Sequence, residues 1–190
     1  MNCIIVHGSP NKDRTNEPDY VPDSKKGWLL WIKGKIEEGG IKCEVPQMPT
    51  PWHPKYSEWK KVIEKLKINE DTILIGHSAG GAFLVRYLDE NKKKIYKLIL
   101  VSPGKAGKES RETLSDLYGK KSHEQIKKYV KEQIIIFTSE EDHSYHIESA
   151  YDYGKEFNAK VIKLGKGFGH FTTSGMKTEK FPELLEEVLK

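Results

Sequence analysis

The sequence is poor in cysteine and in long apolar runs, and each shortage excludes a class of protein. It has two cysteines in 190 residues, Cys3 and Cys43, so a fold held together by a disulfide framework is excluded. Both lie in strand-like runs, and we expect buried free thiols in a reducing, cytoplasmic compartment; a disulfide between neighbouring strands is the alternative. No apolar run approaches the roughly 20 residues that cross a bilayer. The opening residues, MNCIIVHG, lack the basic start of a signal peptide, so we expect no membrane partner.

Positive charge is in slight excess and is spread along the chain. The net charge is +4, and the short lysine clusters 92–94 and 120–121 contain no interleaved aromatic or base-reading groups. We therefore expect no nucleic-acid partner. With 36% hydrophobic and 32% charged residues, the chain has the composition of a globular protein, and its length predicts a single domain over residues 1–190.

Strand-like and helix-like segments alternate throughout. The predicted strands are 2–6, 41–45, 72–75, 95–101, 133–137 and 160–164, and the predicted helices are 24–38, 55–66, 82–88, 112–118, 124–130, 146–157 and 179–189. Ser24 is the predicted N-cap of the first helix. Strands joined by helical crossovers predict an α/β fold with about six mainly parallel strands covered on both faces. In such sheets, reactive groups gather beyond the carboxyl ends of the strands.

One serine lies in a strand, tight turn and helix pattern. The run 72–75 is apolar and β-branched, Gly76-His77-Ser78-Ala79-Gly80 follows it, and an amphipathic stretch comes next. This context turns the G-x-S-x-G match into a predicted nucleophile elbow, in which Ser78 projects above the sheet. Glycine suits positions 76 and 80, where the reversing chain leaves no room for Cβ. A phosphate-binding turn is the alternative, but the G-x-G-x-x-G pattern and the P-loop lysine are missing.

An acid and a base follow later strands. Asp142 comes after the fifth predicted strand and His170 after the sixth, and the order serine, acid, histidine is that of α/β-hydrolases. A neutral serine is a poor nucleophile, so His170 would act as its base. Asp142 would fix the imidazole tautomer, with Glu141 as the alternative acid.

Two backbone N–H groups are candidates for an oxyanion hole. Ala79 begins the helix after the nucleophile, where its N–H can face a developing negative charge. His7-Gly8-Ser9 follows the first strand, and since Pro10 has no N–H, Ser9 is the predicted second donor. His7 is then predicted to be structural.

Other histidines invite a metal or pocket interpretation. His143 and His146 are three residues apart, but no third ligand has convincing spacing, so we expect neither a metal nor a cofactor. We expect the loops 11–20 and 104–117 to form walls of the substrate pocket. The other predicted pocket residues are His77, Trp52, His53 and His143.

The chain resembles a known family over nearly its whole length. The matching stretches are Ile4-Ile5-Val6-His7-Gly8, Trp28-Leu29-Leu30-Trp31, Met48-Pro49-Thr50-Pro51 with Pro54 and Trp59, Gly76-His77-Ser78-Ala79-Gly80, Leu98-Ile99-Leu100-Val101-Ser102, Ser139-Glu140-Glu141-Asp142 and Gly167-Phe168-Gly169-His170-Phe171. They resemble the small serine hydrolases of the retinoblastoma-binding-protein-nine/YdeN type. The resemblance implies a minimal α/β-hydrolase without a large lid domain, with Ser78, Asp142 and His170 as its triad.

Two functions are compatible with these residues. The leading hypothesis is hydrolysis of small carboxylic esters through an acyl-serine intermediate, with a small-molecule ester as substrate. The alternative is a hydrolase-fold binding module that has little turnover and an unidentified protein partner.

Overall fold

The computed structural model describes residues 1–13, 21–107, 112–120 and 122–190, and its centre is a parallel β-sheet. The strands are β1 (Asn2–Val6), β2 (Lys42–Glu44), β3 (Thr72–His77), β4 (Lys97–Val101), β5 (Ile134–Ser139) and β6 (Lys160–Leu164). They lie in the order β2-β1-β3-β4-β5-β6, and each neighbouring pair is parallel. The predicted α/β class and six-stranded sheet are confirmed, and no large lid domain is evident in the described residues.

Helices connect the strands and cover the sheet. The α-helices are α1 (Gly27–Glu38), α2 (Tyr56–Ile63), α3 (Ala79–Asn91), α4 (Ser115–Tyr118), α5 (Ser144–Phe157), α6 (Thr173–Met176) and α7 (Pro182–Leu189). Short 3-10 helices occupy Asp23–Lys25, Glu112–Leu114 and Glu124–Lys128. Within the described ranges, no helix combines the length and apolar character needed to cross a membrane.

The four inner strands, β1, β3, β4 and β5, are buried on both faces, which explains their continuous apolar runs. Side chains that alternate along each strand divide into two hydrophobic clusters. Ile4 and Leu74 belong to the cluster that includes α2, α3 and α5, whereas Ile5 and Ile75 belong to the one that includes α1 and α7. Each such fully buried side chain contributes about 1.5–3 kcal/mol of hydrophobic stabilisation. The two layers hold the sheet rigid beneath the loops at its carboxyl edge.

The first predicted helix cap is wrong. α1 begins at Gly27 with Lys26 as its N-cap, and no side chain caps it. Ser24 instead lies in the preceding 3-10 helix, where its hydroxyl donates a hydrogen bond to Gln47 Oε1 at 2.6 Å. The helix therefore starts later than predicted, and Ser24 makes a tertiary contact in place of a local cap.

The predicted helix 124–130 also ends early. Residues Glu124–Lys128 form a 3-10 helix, and the chain then pairs with the start of the fourth strand segment. Ile95 N–H donates to Tyr129 O, and Lys131 N–H donates to Ile95 O, each at a donor–acceptor distance of 2.8 or 2.9 Å. Val130 thus forms an isolated parallel bridge with Ile95, and the helix does not continue through residue 130.

Candidate active site

Ser78 lies at the tight turn between β3 and α3. Its backbone has φ 51° and ψ −119°, a region that non-glycine residues rarely adopt and that costs about 1–3 kcal/mol. A Cβ on Gly80 would lie 2.4 Å from Val6 O, and one on Gly76 would lie 2.6 Å from Gly81 Cα. Glycine is therefore required at both positions for the chain to reverse, and the reversal leaves the serine side chain at the carboxyl edge of the sheet.

Three side chains that follow different strands meet at this edge. His170 Nε2 lies 3.0 Å from Ser78 Oγ, and His170 Nδ1 lies 2.8 Å from Asp142 Oδ1. The Asp142 side chain is fully shielded from solvent, whereas His170 keeps 21% of its side chain exposed. Since a carboxylate accepts and does not donate, Nδ1 carries a proton and Nε2 presents its lone pair to the serine hydroxyl. The structure thus brings together the serine, acid and histidine singled out in the sequence.

Asp142 is held in its charged form by its neighbours. Burial raises the pKa of this carboxyl, but hydrogen bonds from His170 and Ser102 outweigh burial, and the net pKa is lowered. The backbone N–H of His143 adds a further hydrogen bond to Oδ1 at 2.8 Å. An ionised carboxylate therefore faces the imidazole at neutral pH. Glu141, the alternative acid, instead accepts a hydrogen bond from Gly167 N–H.

Ser102 is a site residue that the sequence reasoning missed. It directly follows β4, is fully buried, and has φ 49°. Its hydroxyl donates a hydrogen bond to Asp142 Oδ2, and its Oγ lies 2.8 Å from His170 Nδ1. The rule that functional groups follow parallel strands would have selected it, since it is the polar residue directly after β4.

His146 supports the imidazole from α5. Its ring lies 4.2 Å from that of His170, nearly parallel, and it is 1% exposed. Burial, and then the nearby positive charge that His170 can carry, lower the pKa of His146 to about 3. His146 is therefore a neutral imidazole whose Nδ1–H points to Pro103 O at 3.3 Å. No cluster of three or more metal-ligating side chains occurs in the part of the chain that the structure describes.

The segment after β1 passes beside the elbow. A Cβ on Gly8 would lie 3.2 Å from both His77 Nδ1 and Ser78 Cβ, so the backbone there is in close approach. Ser9 lines the same cavity as Ser78, and Ala79 is the buried first residue of α3. The assignment of their N–H groups to an oxyanion hole stays a prediction.

His7 connects β1 to the proline-rich segment before α2. It is completely buried, its Nδ1–H donates to Gly8 O at 2.7 Å, and its Nε2 accepts from Met48 N–H at 2.9 Å. Its ring also packs edge-on against Trp59, with 5.9 Å between centroids. These contacts hold the turn of the Gly8 segment and agree with the structural role expected of His7.

A cavity of about 410 Å³ opens beside the serine. Ser78, His170 and His77 line it together with the apolar groups of Trp28 and Phe171. His77 Nε2–H also donates to His170 O at 3.0 Å, which ties the histidine loop to the elbow. The cavity therefore combines a reactive edge with an apolar wall.

The other predicted pocket residues lie elsewhere. Trp52 and His53 line a neighbouring cavity of about 460 Å³, which shares Pro10 and Asn11 with the first. His143 lines neither cavity, although its ring lies 5.8 Å from that of His170. Of the predicted walls, residues 14–20 and 108–111 lie outside the described residues.

Comparison with known proteins identifies the family. A family model described as serine hydrolase matches residues 18–187, and the chain belongs to this family. It is similar to YdeN of Bacillus subtilis (strain 168), with 24% identity over 172 residues that cover 88% of this chain and 84% of YdeN. Serine hydrolase RBBP9 of Rattus norvegicus is 37% identical over 78 residues, which are 40% of this chain and 41% of RBBP9. The predicted resemblance is confirmed.

Solved structures show the same fold. The crystal structure of the ydeN gene product from B. subtilis matches with a TM-score of 0.80 at 20% identity, covering 100% of this chain and 97% of the other. Alpha/beta hydrolase domain-containing protein 10 from mouse matches with a TM-score of 0.64 at 10% identity, covering 98% and 87%. The fold is that of a minimal α/β-hydrolase.

Proposed function

We propose that this protein hydrolyses small carboxylic esters through an acyl-serine intermediate. The observation that carries the proposal is the hydrogen-bonded series in which His170 lies 3.0 Å from Ser78 Oγ and 2.8 Å from Asp142. A serine hydroxyl becomes nucleophilic only when a base can take its proton, and this arrangement supplies that base with its tautomer fixed. Membership of the serine hydrolase family supports the same chemistry.

The proposed reaction has two halves. In the first, His170 Nε2 takes the hydroxyl proton while Ser78 Oγ bonds to the ester carbonyl carbon, and the carbonyl oxygen becomes negative. The backbone N–H groups of Ser9 and Ala79 would stabilise that oxygen. The C–O bond to the alcohol then breaks, and the imidazolium returns its proton to the leaving oxygen.

In the second half, a water molecule takes the place of the alcohol. His170 removes a proton from the water as its oxygen bonds to the acyl carbon, and the bond to Ser78 breaks. The serine recovers its proton and the acid leaves. Asp142 stays ionised throughout and stabilises the imidazolium in both halves.

The cavity beside Ser78 supports a substrate of modest size. Its volume of about 410 Å³ falls in the range of small-ligand pockets, and its apolar wall of Trp28 and Phe171 suits an uncharged acyl group. We place the activity in the cytoplasm, because Cys3 and Cys43 are buried free thiols, the usual state of cysteine in a reducing compartment.

Replacement of the nucleophile tests the proposal. We expect Ser78→Ala to lower turnover of p-nitrophenyl butyrate by roughly a thousandfold or more, since the acyl-enzyme can no longer form. The matched control is Ser149→Ala, which removes a buried hydroxyl that only donates to Tyr145 O on α5. Ester turnover by Ser78→Ala at the rate of the wild type would refute the nucleophile.

A fluorophosphonate probe separates the two candidate functions. Covalent labelling of the wild type, with none on Ser78→Ala, would show an activated serine. An unlabelled wild type with no turnover on a panel of esters would favour a hydrolase-fold protein that binds its partner without cleaving it.

A further inference from the structure

Ser102, the residue directly after β4, lies in the site with a strained backbone conformation. Ser102 has φ 49°, in the left-handed region that favours glycine, yet its side chain is fully buried. Its backbone is held by a hydrogen bond from Ser102 N–H to Phe137 O at 2.8 Å. A glycine would adopt this backbone without strain, so the presence of a side chain here calls for a use of the hydroxyl.

The direction of each Ser102 hydrogen bond follows from which of the two atoms can donate. The Asp142 carboxylate can only accept, so the Ser102 hydroxyl hydrogen is directed to Oδ2. The Ser102 oxygen then has only lone pairs left to offer His170 Nδ1, 2.8 Å away. The Nδ1–H consequently lies between two acceptors, Ser102 Oγ and Asp142 Oδ1, both at 2.8 Å.

We propose that Ser102 is a positioning residue of the hydrolytic site, an inference that rests on the ester hydrolysis proposed above. Its hydroxyl fixes the rotation of the Asp142 carboxylate by occupying Oδ2 while Oδ1 binds the imidazole. Its oxygen also provides the second acceptor for Nδ1–H, which keeps Nε2 directed at Ser78. When Nε2 takes the serine proton and the imidazolium forms, the positive charge is shared over the ring, and both acceptors stabilise it from the Nδ1–H side.

Two variants separate the hydroxyl from the backbone. Ser102→Ala removes the hydroxyl and keeps the strain, whereas Ser102→Gly removes the hydroxyl and relieves the strain. A hydrogen bond to a charged group supports an expected loss of about ten- to a hundredfold in kcat for both variants, with KM within about twofold. In the wild type the Ser149 hydroxyl donates to a local helix carbonyl. Ser149→Ala, which removes that hydroxyl, is expected to keep the kcat of the wild type.

A second readout does not depend on turnover. The proton on His170 Nδ1 should give a far-downfield ¹H NMR resonance in the wild type, identified by its loss in His170→Ala. We expect both Ser102 variants to shift this resonance upfield and to broaden it by faster exchange with water, while Ser149→Ala leaves it in place. Circular dichroism of each variant checks that it is folded; if the alanine variant does not fold, the glycine variant carries the test.

The outcomes are distinct. Loss of kcat together with the altered resonance in both variants supports the positioning role. A wild-type kcat or an unchanged resonance in both variants overturns it, as does a normal glycine variant beside an impaired alanine variant, since the backbone would then be the cause. If the wild type hydrolyses no ester, the proposed function fails, and the resonance alone decides whether Ser102 orients His170.

Discussion

Replacing His146 with phenylalanine should change how the stability of this protein depends on pH. The imidazole of His146 is 1% exposed and stacks on His170 at 4.2 Å. Burial, reinforced by the positive charge that His170 can carry, lowers the pKa of His146 from 6.5 to about 3. Phenylalanine keeps an aromatic ring in the stack but cannot take up a proton, so His146→Phe removes this titration and preserves the packing.

The magnitude follows from the two pKa values. In the unfolded chain His146 has its ordinary pKa, near 6.5. Below about that pH the unfolded chain therefore binds a proton at His146, whereas the folded protein does not. The stability contributed by the neutral ring is complete above that pH and is lost as the pH falls. At about 1.36 kcal/mol per unit, the free energy of unfolding should decrease by about 2 kcal/mol between pH 7 and pH 5 from this group alone.

Urea unfolding followed by tryptophan fluorescence measures the effect, since Trp28 and Trp59 are buried reporters. We expect the wild type to lose about 2 kcal/mol more than His146→Phe between pH 7 and pH 5. His53→Gln, which removes an exposed histidine, serves as the control and should follow the wild type. If the free energy of unfolding falls equally in the wild type and in His146→Phe, His146 does not stay neutral in the folded protein, and the reasoning is refuted.

Two further substitutions test the close backbone approach at the elbow and a mostly buried ion pair. Gly80→Ala should lower the free energy of unfolding by about 3 kcal/mol, because the added Cβ would lie 2.4 Å from a backbone carbonyl oxygen. Gly34→Ala is the control: its added Cβ would meet no atom within 4 Å, so the variant should stabilise α1 by about 0.5–1 kcal/mol. Equal thermal midpoints for these two variants would contradict the close approach. Burial raises the pKa of Glu156, but its hydrogen bond from Lys105 prevails and the net pKa is lowered, so its contribution exists at neutral pH and disappears on acidification. Glu156→Gln should therefore cost about 1–3 kcal/mol at pH 7, and a deficit that persists undiminished at pH 3 would contradict the ion pair.

The sheet and the main site residues could be predicted because their signals are local. Apolar β-branched runs indicate buried strands, and parallel pairing brings the carboxyl ends of those strands to one edge. Ser78, Asp142 and His170 each follow such a strand, so their proximity is a consequence of topology. The order of the three along the chain added the chemical assignment.

Other features depend on contacts between distant parts of the chain, so the sequence can at most select a residue without showing what it contacts. Ser102 reaches Asp142 across 40 residues because β4 lies beside β5, and its left-handed backbone turns the hydroxyl toward the carboxylate. The spacing of His143 and His146 did not predict a metal, and it gave no sign that the start of α5 places the His146 ring against His170. Ser24 is not the helix cap because α1 begins at Gly27, and the Ser24 hydroxyl instead contacts Gln47, 23 residues away.

The two edge strands of the sheet, β2 and β6, carry charged side chains that oppose aggregation. Among the described residues, β2 and β6 each have a strand on one side only, so each leaves a row of backbone groups on which another chain could add. Exposed lysines lie on both, with Lys42 on β2 and Lys160 and Lys163 on β6. Lys42 pairs with Glu44 and Lys160 with Glu187, so a strand added at either edge would have to desolvate these charged side chains. The charge on these borders therefore discourages copies from joining edge to edge.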